Sequence, residues 1–206
     1  MTKLEFERVL KAVQVGEALG IEIQANAPLK HLTMRFGYIT QYGTGILCHV
    51  ELVIDKIIEN GVVVDLVLIS ANGKEVAIER ASKYLEDLPF MKIYIIGYEN
   101  DTEEDRQAYV AMAKTRLGVK YDWHLIGIQT RKGLVCKIPL LGWLLKQFVY
   151  TTAPIFNKNP SKGTICSKEL ALYYRSRHPD YLKKYWIDYI YPALHFEADE
   201  TTIYRP

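Results

Sequence analysis

The sequence predicts an α+β fold in which a small antiparallel sheet packs against helices. Three observations lead there. Two runs rich in Val and Ile, ILCHVELVID (46–55) and VVVDLVLIS (62–70), are separated by a segment holding Asn60-Gly61, and two further short apolar runs follow them. Segments with helical spacing flank this strand cluster on both sides. No internal repeat or low-complexity linker divides the 206 residues, so one domain spanning 1–206 is expected.

The elements can be justified in order. In MTKLEFERVLKAVQVGEALG, apolar Leu4, Val9, Leu10, Val13 and Leu19 recur near helical spacing among charged residues, and Gly20 offers a stop. An amphipathic helix is predicted over about 2–19. Residues 21–45 carry Pro28 and several glycines and read as loops with one or two short strands. Asn60-Gly61 suits the positive φ values of a tight hairpin turn between the first two strands. EVAIER is predicted as a third strand after Asn72-Gly73, ASKYLED as a short helix and KIYIIGY (92–98) as a fourth strand. DTEEDRQAYVAMAKTRLG opens with acids and ends on Arg116, Leu117 and Gly118, the pattern of a helix from start to stop. The apolar stretch 134–150, LVCKIPLLGWLLKQFVY, is interrupted by Pro139 and Gly142 and reads as an insertion, either a core helix or a lid. A last helix is predicted from Cys166 to about Arg177, with a short strand near TTIYR.

Composition excludes several classes. A chain of this length buries about 70% of its extended surface and needs no covalent staples. Cys48, Cys136 and Cys166 are an odd number, thinly spread, and do not form a secreted disulfide framework. The 26 Lys and Arg against 24 Asp and Glu are scattered, without the basic block that tracks a phosphate backbone, so no nucleic-acid partner is expected. Glutamates interrupt the amino-terminal segment where a signal peptide would be apolar, and no apolar run reaches membrane-spanning length. A cytoplasmic protein is the expectation. A metal site from Cys48, His49 and Cys136 or Cys166 lacks the close spacings of zinc ligands, so neither metal nor other cofactor is expected.

Chemistry concentrates at GTICSKELALYY (163–174). Cys166 stands where a glycine-bearing loop becomes a helix, and the free N–H groups and dipole of a helix amino end favour a thiolate there, with Lys162 and Lys168 adding positive charge. A lone cysteine is more often an inert buried residue, so a base must be sought. His49 supplies one: it interrupts an apolar strand, where its ring nitrogens need partners. A third polar group should hold the imidazole in its working tautomer. If Asn60-Gly61 is a two-residue turn, Glu59 faces Val62, and counting outward sets Glu51 opposite Ser70 and His49 opposite Asn72. These four then share one face, and Cys48, Val50, Leu52, Val67 and Ile69 share the other with Asp65. Ser70, Glu51, Asn72 and Asp65 are all candidates for the third position, and all can equally be read as polar residues of a sheet.

The order of the parts is informative, because the histidine precedes the cysteine. His49-Val50 opens CHVELVI, Ser70-Ala71 closes VLISA, Gly118-Val119-Lys120-Tyr121-Asp122 follows the long helix, and Cys166-Ser167 begins the last one. Taken together these motifs resemble the circularly permuted, NlpC-type papain-like cysteine hydrolases, which include YiiX-like proteins and the lecithin retinol acyltransferase group. The resemblance spans about residues 36–175, with a weaker likeness near Pro192. It implies a permuted papain-like fold, Cys166 as nucleophile, His49 as general base and Ser70 as the orienting residue. The chain departs from the pattern at Gly37-Tyr38, where many members have Gly-Asp, at Glu169, where Leu is usual, and at the uncharged Ser70.

The resemblance implies hydrolysis or acyl transfer on a peptide amide or a lipid acyl group. The apolar residues around Trp143, just before the nucleophile, fit a buried helix or a transient lipid or membrane contact. The alternative is a ligand-binding or lipid-binding module of the same fold without turnover.

Overall fold

A computed structural model of the protein describes residues 1–24, 47, 49–123, 125, 163–183, 195, 198 and 201–204. Cys48, Cys136, His31, His124, Lys162, Gly37-Tyr38, the apolar stretch 134–150 with Trp143, and the Pro192 region lie outside the described residues.

The described residues form an α+β fold. Strands β1 (Ala18–Ile23), β2 (His49–Glu59), β3 (Val62–Ala71), β4 (Val76–Arg80), β5 (Met91–Tyr98) and β6 (Thr201–Tyr204) make one sheet in the order β4-β3-β2-β1-β5-β6. Every neighbouring pair is antiparallel. Helices α1 (Lys3–Ala12), α2 (Glu103–Thr115) and α3 (Cys166–Arg175) pack on it.

The opening helix corrects the sequence expectation. It starts at a capping box in which Thr2 and Glu5 satisfy each other's backbone N–H groups, but it ends at Ala12 rather than near residue 19. Val13 is already extended, and Gly16 turns the chain at φ +92°, where a side chain would strike Arg106. Ala18–Ile23 is then a strand lying between β2 and β5. Its residues are buried on both faces, and the resulting near-continuous apolar run resembles a helical stripe in sequence.

The β2–β3 hairpin turns at Asn60 and Gly61, with φ of 49° and 77°. Pairing leaves the turn as Glu59↔Val62 and Ile58↔Val63, shifts to Ile57↔Asp65 through Asp55↔Val67, and returns to Val53↔Leu68 and Leu52↔Ile69. Val64 is the extra residue on β3 and Ile54 the extra residue on β2. Two bulges on opposite strands therefore cancel, and the register expected from a two-residue turn is restored beside the site.

Side-chain alternation divides the core between the two faces. Val50, Leu52 and Ile69 meet Tyr109 of α2 and Leu170 and Tyr174 of α3. On the other side, Leu19, Val53 and Leu68 meet Phe6, Val9 and Leu10 of α1. The face carrying Glu51 and Ser70 is thus a covered face, and both residues are only 1% exposed. The short helix expected from ASKYLED is a 3-10 turn at Ala81–Tyr84. Among the described residues, no helix is long and apolar enough to cross a membrane.

Candidate active site

Cys166 is the first residue of α3 and is buried. The helices α1 and α2 both begin with a Thr side chain capping the first turn, whereas α3 begins after Ile165, which has no polar side chain to offer. The loop leading to Cys166 is held against the segment that follows α2. Thr164 donates its N–H to the Lys120 carbonyl at 3.0 Å, and Asp122 donates to the Thr164 carbonyl at 2.8 Å. Gly163 is needed at this crossing because a Cβ there would come within 2.8 Å of Asp122. Lys168, expected to lend charge, is buried and donates to the Gly163 carbonyl at 3.0 Å. The Gly118-to-Asp122 motif and the Cys166 motif, far apart in sequence, are therefore neighbours.

His49 opens β2, and its imidazole interacts electrostatically with the Cys166 thiol. Its Nε2 lies 3.0 Å from Glu51 Oε1 and 3.0 Å from Ser70 Oγ. A carboxylate only accepts, so Nε2 carries a hydrogen shared between Glu51 and Ser70. Both of these sequence candidates thus stand on the same nitrogen. Asn72 does not: its Nδ2 donates to Glu79 Oε1 at 2.7 Å, and its Oδ1 receives the N–H groups of Lys74 and Glu75. Asp65 also stands apart, accepting from the Ser82 N–H at 2.9 Å and the Ser82 hydroxyl at 2.8 Å.

Behind His49 lies a set of partners that the sequence reading missed. The Glu51 side chain is 0% exposed. Its Oε1 also receives Lys83 Nζ at 2.6 Å, and its Oε2 receives the Tyr84 hydroxyl at 2.8 Å. Lys83 reaches Glu79 as well. Burial works against the Glu51 charge, but Lys83 and then His49 outweigh it and hold the carboxyl well below the usual carboxylate range. Burial likewise opposes the imidazolium, yet Cys166 first and Glu51 second raise His49 to about 10. Lys83 and Tyr84 lie in the only helix-like stretch between β4 and β5 besides Leu88–Phe90, and the Glu79-to-Lys83 spacing of four was the one available signal.

The far side of α3 is also fixed, by His195. His195 is fully buried, with Nε2 2.8 Å from the Ser167 carbonyl and Nδ1 2.7 Å from the Tyr181 hydroxyl. The carbonyl can only accept, so Nε2 donates and Nδ1 accepts from Tyr181. Burial keeps this histidine neutral and pushes it down to about 4. No protein-family model and no curated protein matches the chain.

One group among the described residues has the composition of a metal site: Asp101, Asp105 and His178. Its oxygens already serve protein donors, since Tyr109 donates to Asp101 Oδ1 at 2.6 Å and Arg177 to Asp105 Oδ1 at 2.7 Å. His178 Nε2 lies 2.9 Å from Asp101 Oδ1 and its ring stacks on Tyr98 at 3.8 Å. The cluster reads as a hydrogen-bonded seam between α2 and the end of α3.

Proposed function

We propose that this chain is a cysteine hydrolase or acyltransferase of the permuted papain-like kind, with Cys166 as nucleophile and His49 as its base. What supports the reading is a cysteine at a helix start and, interacting with it, a histidine whose Nε2 is held by a buried carboxylate and a hydroxyl. Arrangement and roles are those of nucleophilic catalysis: a thiol, a base within reach, and a third group that orients the base.

In the proposed reaction the Cys166 thiolate attacks the carbonyl carbon of an amide or ester, and the carbonyl π electrons move onto oxygen. Backbone N–H groups at the start of α3 receive that oxyanion. Collapse of the intermediate expels the amine or alcohol, which takes the proton from His49 and leaves a thioester on Cys166. Neutral His49 then draws a proton from water, or from a second hydroxyl or amine, as it attacks the thioester. This step frees the acid or the transferred acyl product and returns the proton to His49. The missing Gly-Asp at Gly37-Tyr38 and the uncharged Ser70 favour a non-catalytic module, whereas Glu51 on the same nitrogen as Ser70 supports catalysis by adding a charge there.

Iodoacetamide at pH 6 followed by peptide mass spectrometry tests the assignment. Cys166 should be alkylated faster than Cys48 and Cys136, and His49→Ala should remove that advantage. Equal labelling of all three thiols, indifferent to His49→Ala, would refute it.

A further inference from the structure

Catalytic cysteine sites need the base charged and aimed, and here the residue that aims it is itself buried. A carboxylate with no exposed side-chain surface keeps its charge only if neighbours replace the water it has lost. Glu51 has three such contacts: His49 and Lys83 share Oε1 at 3.0 and 2.6 Å, and Tyr84 donates to Oε2; the Lys83 ammonium in turn lies over the Tyr84 ring, 4.8 Å from its centre. Of these, Lys83 alone brings a full positive charge independent of the reacting pair. We propose that Lys83 is a positioning residue for the Cys166–His49 pair, acting through Glu51 by keeping that buried carboxylate ionised against the imidazole. This rests on the hydrolase reading of the site.

The geometry makes a line of charged partners from Lys83 through Glu51 to His49, with Cys166 beyond them and Glu79 steadying Lys83 from outside. Within it the Lys83 ammonium offsets the Glu51 carboxylate, the pairing that makes a buried charge least costly. Among the described residues, the titratable groups facing Glu51 are His49 on its own strand and Lys83 and Tyr84 on the 3-10 turn. Behind them stand Glu79 on β4 and Cys166 on α3, while β1 presents Leu19 across from Glu51. Lys83 is 31% exposed along its side chain, so it bridges the buried carboxylate to solvent.

Two readouts test the role. The first is the Glu51 carboxyl carbon, followed by NMR against pH and assigned with Glu51→Gln; the second is Cys166 alkylation by iodoacetamide at pH 5. In Lys83→Met and Lys83→Gln the burial of Glu51 is no longer offset by the ammonium, and its midpoint should rise by about 3–5 pH units, to the assay pH or past it. Alkylation should fall by about tenfold for each unit of that rise that crosses the assay pH. Lys83→Arg, which keeps the charge, should bring both back towards the starting protein. Lys83→Gln retains a hydrogen-bond donor and carries the test if the Met variant does not fold. A Glu51 midpoint unmoved in the neutral variants overturns the assignment, as does a moved midpoint with unchanged alkylation, since Lys83 would then be only a structural partner. If the unsubstituted protein's alkylation ignores His49→Ala, the hydrolase reading fails and Lys83's role falls with it. A His49-dependent rate that ignores Lys83 removes the Lys83 role alone.

Discussion

Glu51 and Ser70 stand at equal distance from one nitrogen of His49, and their chemistry rather than their distance separates them. Ser70 offers a neutral acceptor and Glu51 a charged one. A neutral hydrogen bond is worth about 0.5–1.5 kcal/mol net and one to a charged group about 1.5–3 kcal/mol. At pH 6, Ser70→Ala should therefore slow Cys166 alkylation by about 2- to 12-fold, and Glu51→Gln by about 10- to 150-fold. Measured second-order alkylation rates decide it, and a larger loss for Ser70→Ala would reverse the ranking. The resemblance implied the serine as orienting residue because it closes the strand paired with the histidine's own. Glu51 was equally visible in the strand alternation, but its weight depends on Lys83 and Tyr84, which no count along the hairpin can bring near.

At the level of elements, the hairpin was legible because Asn60-Gly61 pins one end, and the site's register follows from that end only because the bulges at Val64 and Ile54 compensate. A single bulge would have moved the polar set to the opposite face. The first strand was not legible, since a strand buried on both faces shows no alternation to distinguish it from a helix. Glu169, one of the departures from the family pattern, acquires a physical reason in the packing of α3 against the end of α2. Arg116, the residue that ends α2, forks onto both Glu169 oxygens, with Nε at 3.1 Å and an Nη at 2.8 Å, and the Glu169 side chain is only 4% exposed. Removing one partner strands the other. Arg116→Met should destabilise the fold by about 3–5 kcal/mol, and adding Glu169→Leu, the residue usual at that position, should recover most of the loss. Denaturant melts of the two variants test this, and a double variant no more stable than Arg116→Met would show that the ion pair is not the source of the cost.

Over the whole molecule, β6 and His195 close the structure from late in the chain, one pairing with β5 and the other bonding the Ser167 carbonyl next to Cys166. Thr201 at the start of β6 donates its hydroxyl to the His195 carbonyl at 2.9 Å, so sheet edge and α3 share one anchor. That anchor works only while His195 is neutral, because a protonated Nδ1 could no longer accept from Tyr181. The folded state holds the group down to about 4, against an ordinary histidine near 6.5. Between these values the unfolded chain binds the proton and the folded chain does not, so stability rises with pH across about 4–6.5. Its contribution is complete above 6.5, is lost as pH falls towards 4, and is roughly 3 kcal/mol in size. Glu51, held low in the fold, adds its own loss only below the ordinary carboxylate range, near 4.5 and under. Thermal melts should therefore show stability declining from pH 6.5, before carboxylates begin to titrate. His195→Gln, whose amide can still donate to the Ser167 carbonyl, should flatten the slope between pH 4.5 and 6.5 while leaving the steeper fall below it. An unchanged slope in that variant would assign the acid sensitivity to another group and reduce His195 to packing alone.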